Sequence, residues 1–314
     1  MGCRHSGNDP VWLVCVRAGQ SVPTFLFLIP IFLLACEPAA ERGDAADFSI
    51  PGTSEGLRVV TLAPHLAELV FAAGAGDTLV GVSAYSDYPE GVAALPVIGD
   101  AFVVDQELLA LIKPDILLAW QSGTPQHVVG ELTKQGYRVE VIRTRSLEDV
   151  ALALEVIGQL TGFAATAAQA AAEYRQGLAA LAGHYSDDDS ISVFYQIQKR
   201  PLYSVSGDHY VSELIGLCGG QNIFSDLINL APLVSVEAVI ERNPEILLVS
   251  SDSEENALNE WDRWPDMAAN RFGNRYVMQA DEIGRPTPRL LLAGAALCEA
   301  LQQGRVNRGK TIQP

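Results

Sequence analysis

The chain has 314 residues, 48% hydrophobic and 19% charged, with 38 acidic against 21 basic side chains and a net charge of −17. Such a composition is globular rather than disordered, and the length suits about two domains. The acidic excess, without any basic run, excludes a nucleic-acid partner, because phosphate binding needs clustered Lys and Arg.

The N-terminus reads as a leader. Phe25 to Cys36 (FLFLIPIFLLAC) is an unbroken apolar run of 12 residues preceded by Arg4 and Arg17. A membrane-spanning helix needs about 20 apolar residues, so a secretory signal peptide over residues 1–35 fits better than a span. The 24 residues ahead of the run are long for a leader, which points to a translation start downstream of Met1. Leu33-Leu34-Ala35-Cys36 resembles the lipobox of bacterial lipoproteins, which implies cleavage before Cys36 and its lipidation. Residues 36–56 are then a lipidated Cys36 and a polar, Gly- and Pro-containing tether. Cys218 and Cys298 are the two cysteines left, an even pair that an oxidising compartment would join. Two buried free thiols are the alternative.

Short strand-like and helical runs alternate from there. Strands are expected at Arg58–Leu62, Leu79–Val82, Ile116–Trp120 and Arg138–Ile142. Helices are expected at His65–Gly74, Gln106–Ile112, Gln126–Gln135 and Leu147–Leu160. This alternation predicts parallel α/β units. Phe163–Tyr185 is Ala-rich and free of Pro, the longest helical signal in the chain, and reads as a connector between two lobes. The pattern restarts with a strand at Ile191–Gln196. The expected layout is an N-terminal α/β lobe (57–162), a connecting helix (163–186), a C-terminal α/β lobe (187–304) and a polar tail (305–314).

An internal repeat supports two lobes. Asp105–Trp120 (DQELLALIKPDILLAW) aligns without a gap on Ser235–Ser250 (SVEAVIERNPEILLVS). Both carry a capping residue, a Glu two places on, a Pro seven after the Glu, then acid-Ile-Leu-Leu. So wide a spacing implies a duplicated lobe rather than a solenoid. The sequence holds no P-loop, GxSxG elbow, HExxH or dinucleotide-binding glycine fingerprint, and its histidines lack metal-ligand spacing. Two lobes without a catalytic kit suggest a binding protein, not an enzyme, with no metal site and no resident cofactor.

Val80–Asp100 (VGVSAYSDYPEGVAALPVIGD) runs from an apolar strand straight into Tyr-Ser-Asp-Tyr-Pro. On its own that is an ordinary turn. With RVVTLAPHLAELVFAAG, KPDILLAW, LCGGQNIF, VSVEAVIERNPEILL and RPTPRLLLAGAALCEAL, however, the chain resembles the extracytoplasmic substrate-binding proteins of ABC importers for cobalamin, haem and ferric siderophores. The YSDYP stretch and the Cys pair are similar to the cobalamin branch. The resemblance implies two Rossmann-like lobes joined by one rigid backbone helix, with the ligand, a cobalamin or related corrinoid, in the cleft between them. It also implies a periplasmic location and delivery to an ABC transporter permease dimer.

By the same resemblance, Tyr85 and Trp120 are aromatic walls of the N-terminal lobe, and Asp281, Glu282, Ile283, Gly284 and Arg285 form a ligand-contacting loop of the other lobe. Tyr203 is a further cleft candidate, with strand packing as its alternative. Cys218 and Cys298 fall where relatives have a disulfide. Glu107 and Glu237, equivalent in the repeat, would dock onto arginines of the two permease subunits; an acid in a first helical turn is otherwise explained by the helix dipole. His65 and His209 each open a helix, one per lobe, and as a pair could hold haem iron axially or coordinate the cobalt of a corrinoid, with ordinary hydrogen bonds at a helix N-terminus as the alternative. A cleft enzyme acting on a tetrapyrrole is the remaining alternative.

Overall fold

The computed structural model describes residues 56–185, 189–252 and 257–312; the leader, Cys36 and the tether to Glu55 lie outside them. The first half alternates β1 (Val59–Thr61), α1 (Pro64–Ala72), β2 (Leu79–Gly81), α2 (Gln106–Ile112), β3 (Ile116–Trp120), α3 (Gln126–Lys134), β4 (Val139–Ile142) and α4 (Leu147–Thr161). One 22-residue helix, α5 (Ala164–Tyr185), follows. The second half runs β5 (Ile191–Gln196), α6 (Tyr210–Leu217), β6 (Gly220–Asn222), α7 (Val236–Arg242), β7 (Ile246–Ser250), α8 (Ala268–Phe272), β8 (Arg275–Met278), α9 (Ala280–Ile283) and α10 (Leu290–Ile312). The sheets are ordered β2-β1-β3-β4 and β6-β5-β7-β8, and every pairing is parallel. Each half therefore has the same topology.

The repeat is equally visible at the level of atoms. Asp105 caps α2 by accepting the Glu107 and Leu108 amides, and Ser235 caps α7 by accepting the Ala238 amide. Both helices last seven residues and stop on a left-handed residue, Lys113 and Asn243, because the Pro that follows cannot continue a helix. The acid after each Pro then pins the start of the neighbouring strand. Asp115 accepts the Arg58 amide at 2.7 Å, and Glu245 accepts the Ser192 amide at 2.9 Å. The repeated letters are a repeated mechanical unit.

Packing explains why the central strands read as solid apolar runs. β1, β2 and β7 are buried at every residue, and β3 at all but Trp120, since helices cover both faces of each sheet. Helix α4 starts with a reciprocal Ser146–Asp149 capping box and ends on Gly162 at φ 84°. Leu147, its first residue, donates its amide to Glu213 of α6 at 2.7 Å, a tie between the two lobes. Residues 305–312, expected as a polar tail, are instead the last turns of α10. Arg305 donates to the carbonyls of Cys218 and Gly219, and Arg308 to Glu245, so polar side chains fasten this helix to its lobe rather than mark its end.

Cys218, at the end of α6, and Cys298, in α10, are fully buried and joined as a disulfide across 80 positions. Gly219 follows at φ 72°, the left-handed position beyond a helix end that a side chain would strain. Two imidazoles open equivalent helices, one after the first strand of each sheet. His65 is buried in the first turn of α1, where desolvation and then the positive Arg285 lower its pKa from 6.5 to about 3. His209 caps α6 by accepting the Val211 amide on Nδ1 at 3.1 Å. Burial, with Arg145 nearby, lowers it to about 4.

Two measurements check this account. Reducing the disulfide releases a long loop in the unfolded chain, worth about 4–5 kcal/mol in the chain-entropy picture. Urea unfolding with and without reductant is expected to show a correspondingly lower midpoint for the reduced protein. The second is a pH dependence. Both imidazoles have depressed folded-state pKa values, so below about 6.5 the unfolded chain binds protons that the folded one refuses, and stability falls as pH drops toward 4. Each contributes a slope of at most about 1.4 kcal/mol per pH unit. His209→Asn keeps a capping acceptor but removes one titration. Its stability is expected to fall less steeply than that of the parent between pH 6.5 and 5.

Candidate cleft between the two lobes

Parallel strands joined by crossover helices bring all their carboxyl ends to one edge of a sheet, and ligands bind outside that edge. Every cleft candidate lies there. His65 follows β1, Tyr85 follows β2, Trp120 ends β3, Tyr203 and His209 follow β5, and residues 281–285 follow β8. Helix α1 and the loop after β2 in one lobe meet the segment after β8 of the other. There Arg285 donates to Glu68 at 2.9 Å, to Asp87 at 2.6 Å and to the carbonyl oxygen of Tyr85 at 3.2 Å. Residues some 200 positions apart thus share one site.

Tyr85 has its side chain 83% exposed and its backbone in the left-handed region at φ 65°. A bulky non-glycine residue there is strained by roughly 1–3 kcal/mol and persists only where its surroundings hold it. The guanidinium of Arg285 on its carbonyl is one such restraint. The consequence is an aromatic ring standing free at the rim. Trp120 is half-buried and packs edge-on against His65, with ring centroids 4.8 Å apart. Its indole lies on the turn that follows; a Cβ at Gly123 would sit 2.0 Å from its Cε3, so only glycine permits this approach. Trp120 is therefore half core and half wall.

The segment expected as a loop at Asp281–Arg285 begins as helical turn α9, because the amides of Glu282 and Ile283 donate to the Gln279 carbonyl and that of Gly284 to the Ala280 carbonyl. Helical spacing sends its side chains different ways. Asp281 pairs with Arg285 at 2.8 Å, whereas Ile283 is fully buried in the core and offers no surface to a ligand. Glu282 takes part in no ion pair among the described residues. Gly284 ends the turn. Arg285 is the residue of the five that faces the opposite lobe. Burial opposes its charge, but the hydrogen bonds it donates to Asp87 and Glu68 hold its pKa above the ordinary value. The same guanidinium keeps Asp87 below the usual carboxylate range.

Tyr203 sits in a short antiparallel meander, bonded through its backbone to Gln198 and Ile197 and paired with Leu233. That is the strand-packing alternative, with a half-buried ring. The two histidines are held in different ways. Nε2 of His65 is buried, and Nδ1 of His209 is used for the cap of α6. Glu107 and Glu237 are exposed in the first turns of α2 and α7. Among the described residues no group of three His, Cys, Asp or Glu side chains is placed to hold a metal ion, and no helix is long and apolar enough to cross a membrane.

Four residues escaped the sequence reading: Glu68, Asp87, Tyr88 and Arg289. Arg289 donates to both carboxylate oxygens of Glu68, at 2.9 and 2.6 Å, and lies 4.2 Å above the ring of Tyr88. A lone Glu inside the apolar run HLAELVFAAG was the available signal, since a carboxylate on a buried helix face needs a partner.

Comparison with known proteins fits this architecture. The chain is 31% identical over 280 residues to the vitamin B12-binding protein of Vibrio cholerae serotype O1, covering 89% of this chain and 95% of that one. It is 36% identical over 254 residues to the vitamin B12-binding protein of Vibrio campbellii, covering 80% and 91%. The crystal structure of the periplasmic vitamin B12-binding protein of Vibrio cholerae superposes with a TM-score of 0.72 at 32% identity, over 79% of this chain and 97% of that one. Residues 59–282 match the family described as periplasmic binding protein. The chain belongs to the periplasmic binding protein family.

Proposed function

We propose that this protein captures cobalamin or a related corrinoid in the cleft between its two lobes and delivers it to an ABC permease, as cargo and without chemical change. The observation that carries this reading is the Tyr85 rim: an aromatic side chain 83% exposed, on a strained backbone restrained from the opposite lobe. An aromatic face covers a flat macrocycle while the hydroxyl stays hydrated. Trp120 forms a second apolar wall, and Arg285 and Asp281 supply polar partners for the amide-bearing edge of a corrin. The identity to vitamin B12-binding proteins over most of the chain supports the same ligand. A haem held by two imidazoles has less in its favour, because Nε2 of His65 is buried and Nδ1 of His209 caps α6.

The remainder of the reading concerns where the protein acts. Cleavage before Cys36 and its lipidation would tether the two lobes to a membrane surface facing the periplasm. Glu107 and Glu237, exposed at equivalent places in the two lobes, give a pair of acidic contacts suited to a permease with two equivalent basic surfaces. An enzymatic role has nothing comparable in its favour: Arg285, Arg289, Glu68 and Asp281 of the cleft are already paired with one another.

Calorimetric titration with cyanocobalamin is expected to give one site per chain. Tyr85→Ala is expected to weaken it about tenfold or more, as loss of an aromatic hot spot does. No heat with cyanocobalamin, together with tight binding of haemin, would overturn the reading. Docking is tested separately. The double variant Glu107→Arg, Glu237→Arg is expected to keep its cyanocobalamin affinity while losing binding to the cognate permease in nanodiscs. Docking at the parental affinity would leave the two glutamates as helix-starting residues only.

A further inference from the structure

Between the lobes lies a cluster of charges from which the ligand reading takes only Arg285 and Asp281. Its centre is Glu68, on α1, whose side chain is 3% exposed. Two guanidiniums from the other lobe converge on it. Arg289 reaches both of its oxygens, at 2.9 and 2.6 Å, and Arg285 reaches Oε1 at 2.9 Å. The guanidiniums are themselves mostly shielded, at 18% and 14% exposure. Their remaining contacts all fall on groups of the cleft rim: Arg285 on Asp87, Asp281 and the Tyr85 carbonyl, and Arg289 over the Tyr88 ring.

A carboxylate this deeply buried among two guanidiniums is a poor source of net stability, because desolvation offsets most of the attraction. Its geometry is nevertheless sharply defined, since a two-nitrogen fork on a carboxylate tolerates little rotation. Only α5 carries the chain from one lobe to the other, and these ion pairs add to the apolar core that the lobes share in restraining their relative position. The tie from Glu213 to Leu147 lies at α4 and touches none of the residues of the Tyr85 loop.

We propose that Glu68 and Arg289 are positioning residues: Glu68 anchors Arg289 and Arg285 across the lobe boundary, and through them it fixes the 85–88 loop and the aim of Arg285 before ligand arrives. The benefit to binding is preorganisation, an ordering cost met in the fold rather than at encounter. This extends the cobalamin reading and rests on it only for the affinity half of its test.

The test uses Glu68→Gln, close to isosteric, and Arg289→Gln, which reaches the same cluster from the other lobe should the buried substitution impair folding. Hydrogen–deuterium exchange of the ligand-free protein is expected to rise at least tenfold in peptides covering 83–89 and 280–289, with β3 and β7 unchanged. Cyanocobalamin affinity is expected to weaken about tenfold, with Arg289→Lys retaining more of it than Arg289→Gln. Unchanged exchange in both loops overturns the proposal, even if the melting temperature falls. So does raised exchange with unaltered affinity in a protein whose parent binds cyanocobalamin. If the parent does not bind cyanocobalamin, the ligand reading fails, and the exchange result still decides whether the cluster holds the loop.

Discussion

The whole architecture follows from the requirement that parallel strands be joined by crossovers. A parallel pair cannot be closed by a tight turn, so each strand is followed by a loop, a helix and a return. All loops that leave carboxyl ends therefore gather on one edge, and all that enter strands gather on the other. Here the entering edge does mechanical work: Asp115 and Glu245 fasten neighbouring strands from equivalent positions. The leaving edge is free to vary, and it holds the exposed tyrosine, the tryptophan and the charged segment after β8. Structure and site divide along that line.

Duplication makes two such edges, and a single helix sets them against each other. Identical sheet orders and equivalent short helices give the molecule an internal pseudo-symmetry. The cleft itself is not symmetric. The first lobe contributes aromatic rings on loops, while the second contributes two arginines from the short segment between α9 and α10. Apolar walls and directional polar groups thus come from different lobes, an arrangement suited to a large ligand with a flat face and a polar edge.

A chain with an acidic excess places two of its 21 basic side chains together at this boundary. Arg285 and Arg289 face Glu68, Asp87 and Asp281 within one small volume. Salt screens exposed pairs, but buried ones keep their strength. The cluster accordingly specifies position more than it adds to stability. The disulfide acts differently, lowering the entropy of the unfolded chain and tying α6 to α10 inside one lobe.

The residues alone determined much of this. Alternating apolar runs, the Pro-terminated repeat and the alanine-rich connector specified the elements, and Gln106–Ile112, Ile116–Trp120 and Ile191–Gln196 end where local chemistry ends them. Those signals are legible because caps, Pro and periodicity act within a few residues. Resemblance singled out Tyr85, Trp120 and Arg285, and the fold sets all three at the carboxyl edges of the sheets. Tertiary structure decided the rest. It packed Ile283 into the core within a segment that reads as a loop, buried His65, gave Nδ1 of His209 to the cap of α6, and continued α10 through residues that read as a tail. It also made Glu68 the meeting point of two arginines more than 200 positions away. The physical reason is that a buried charge is tolerated only beside its partner, and which partner arrives depends on how two lobes meet, not on any local pattern.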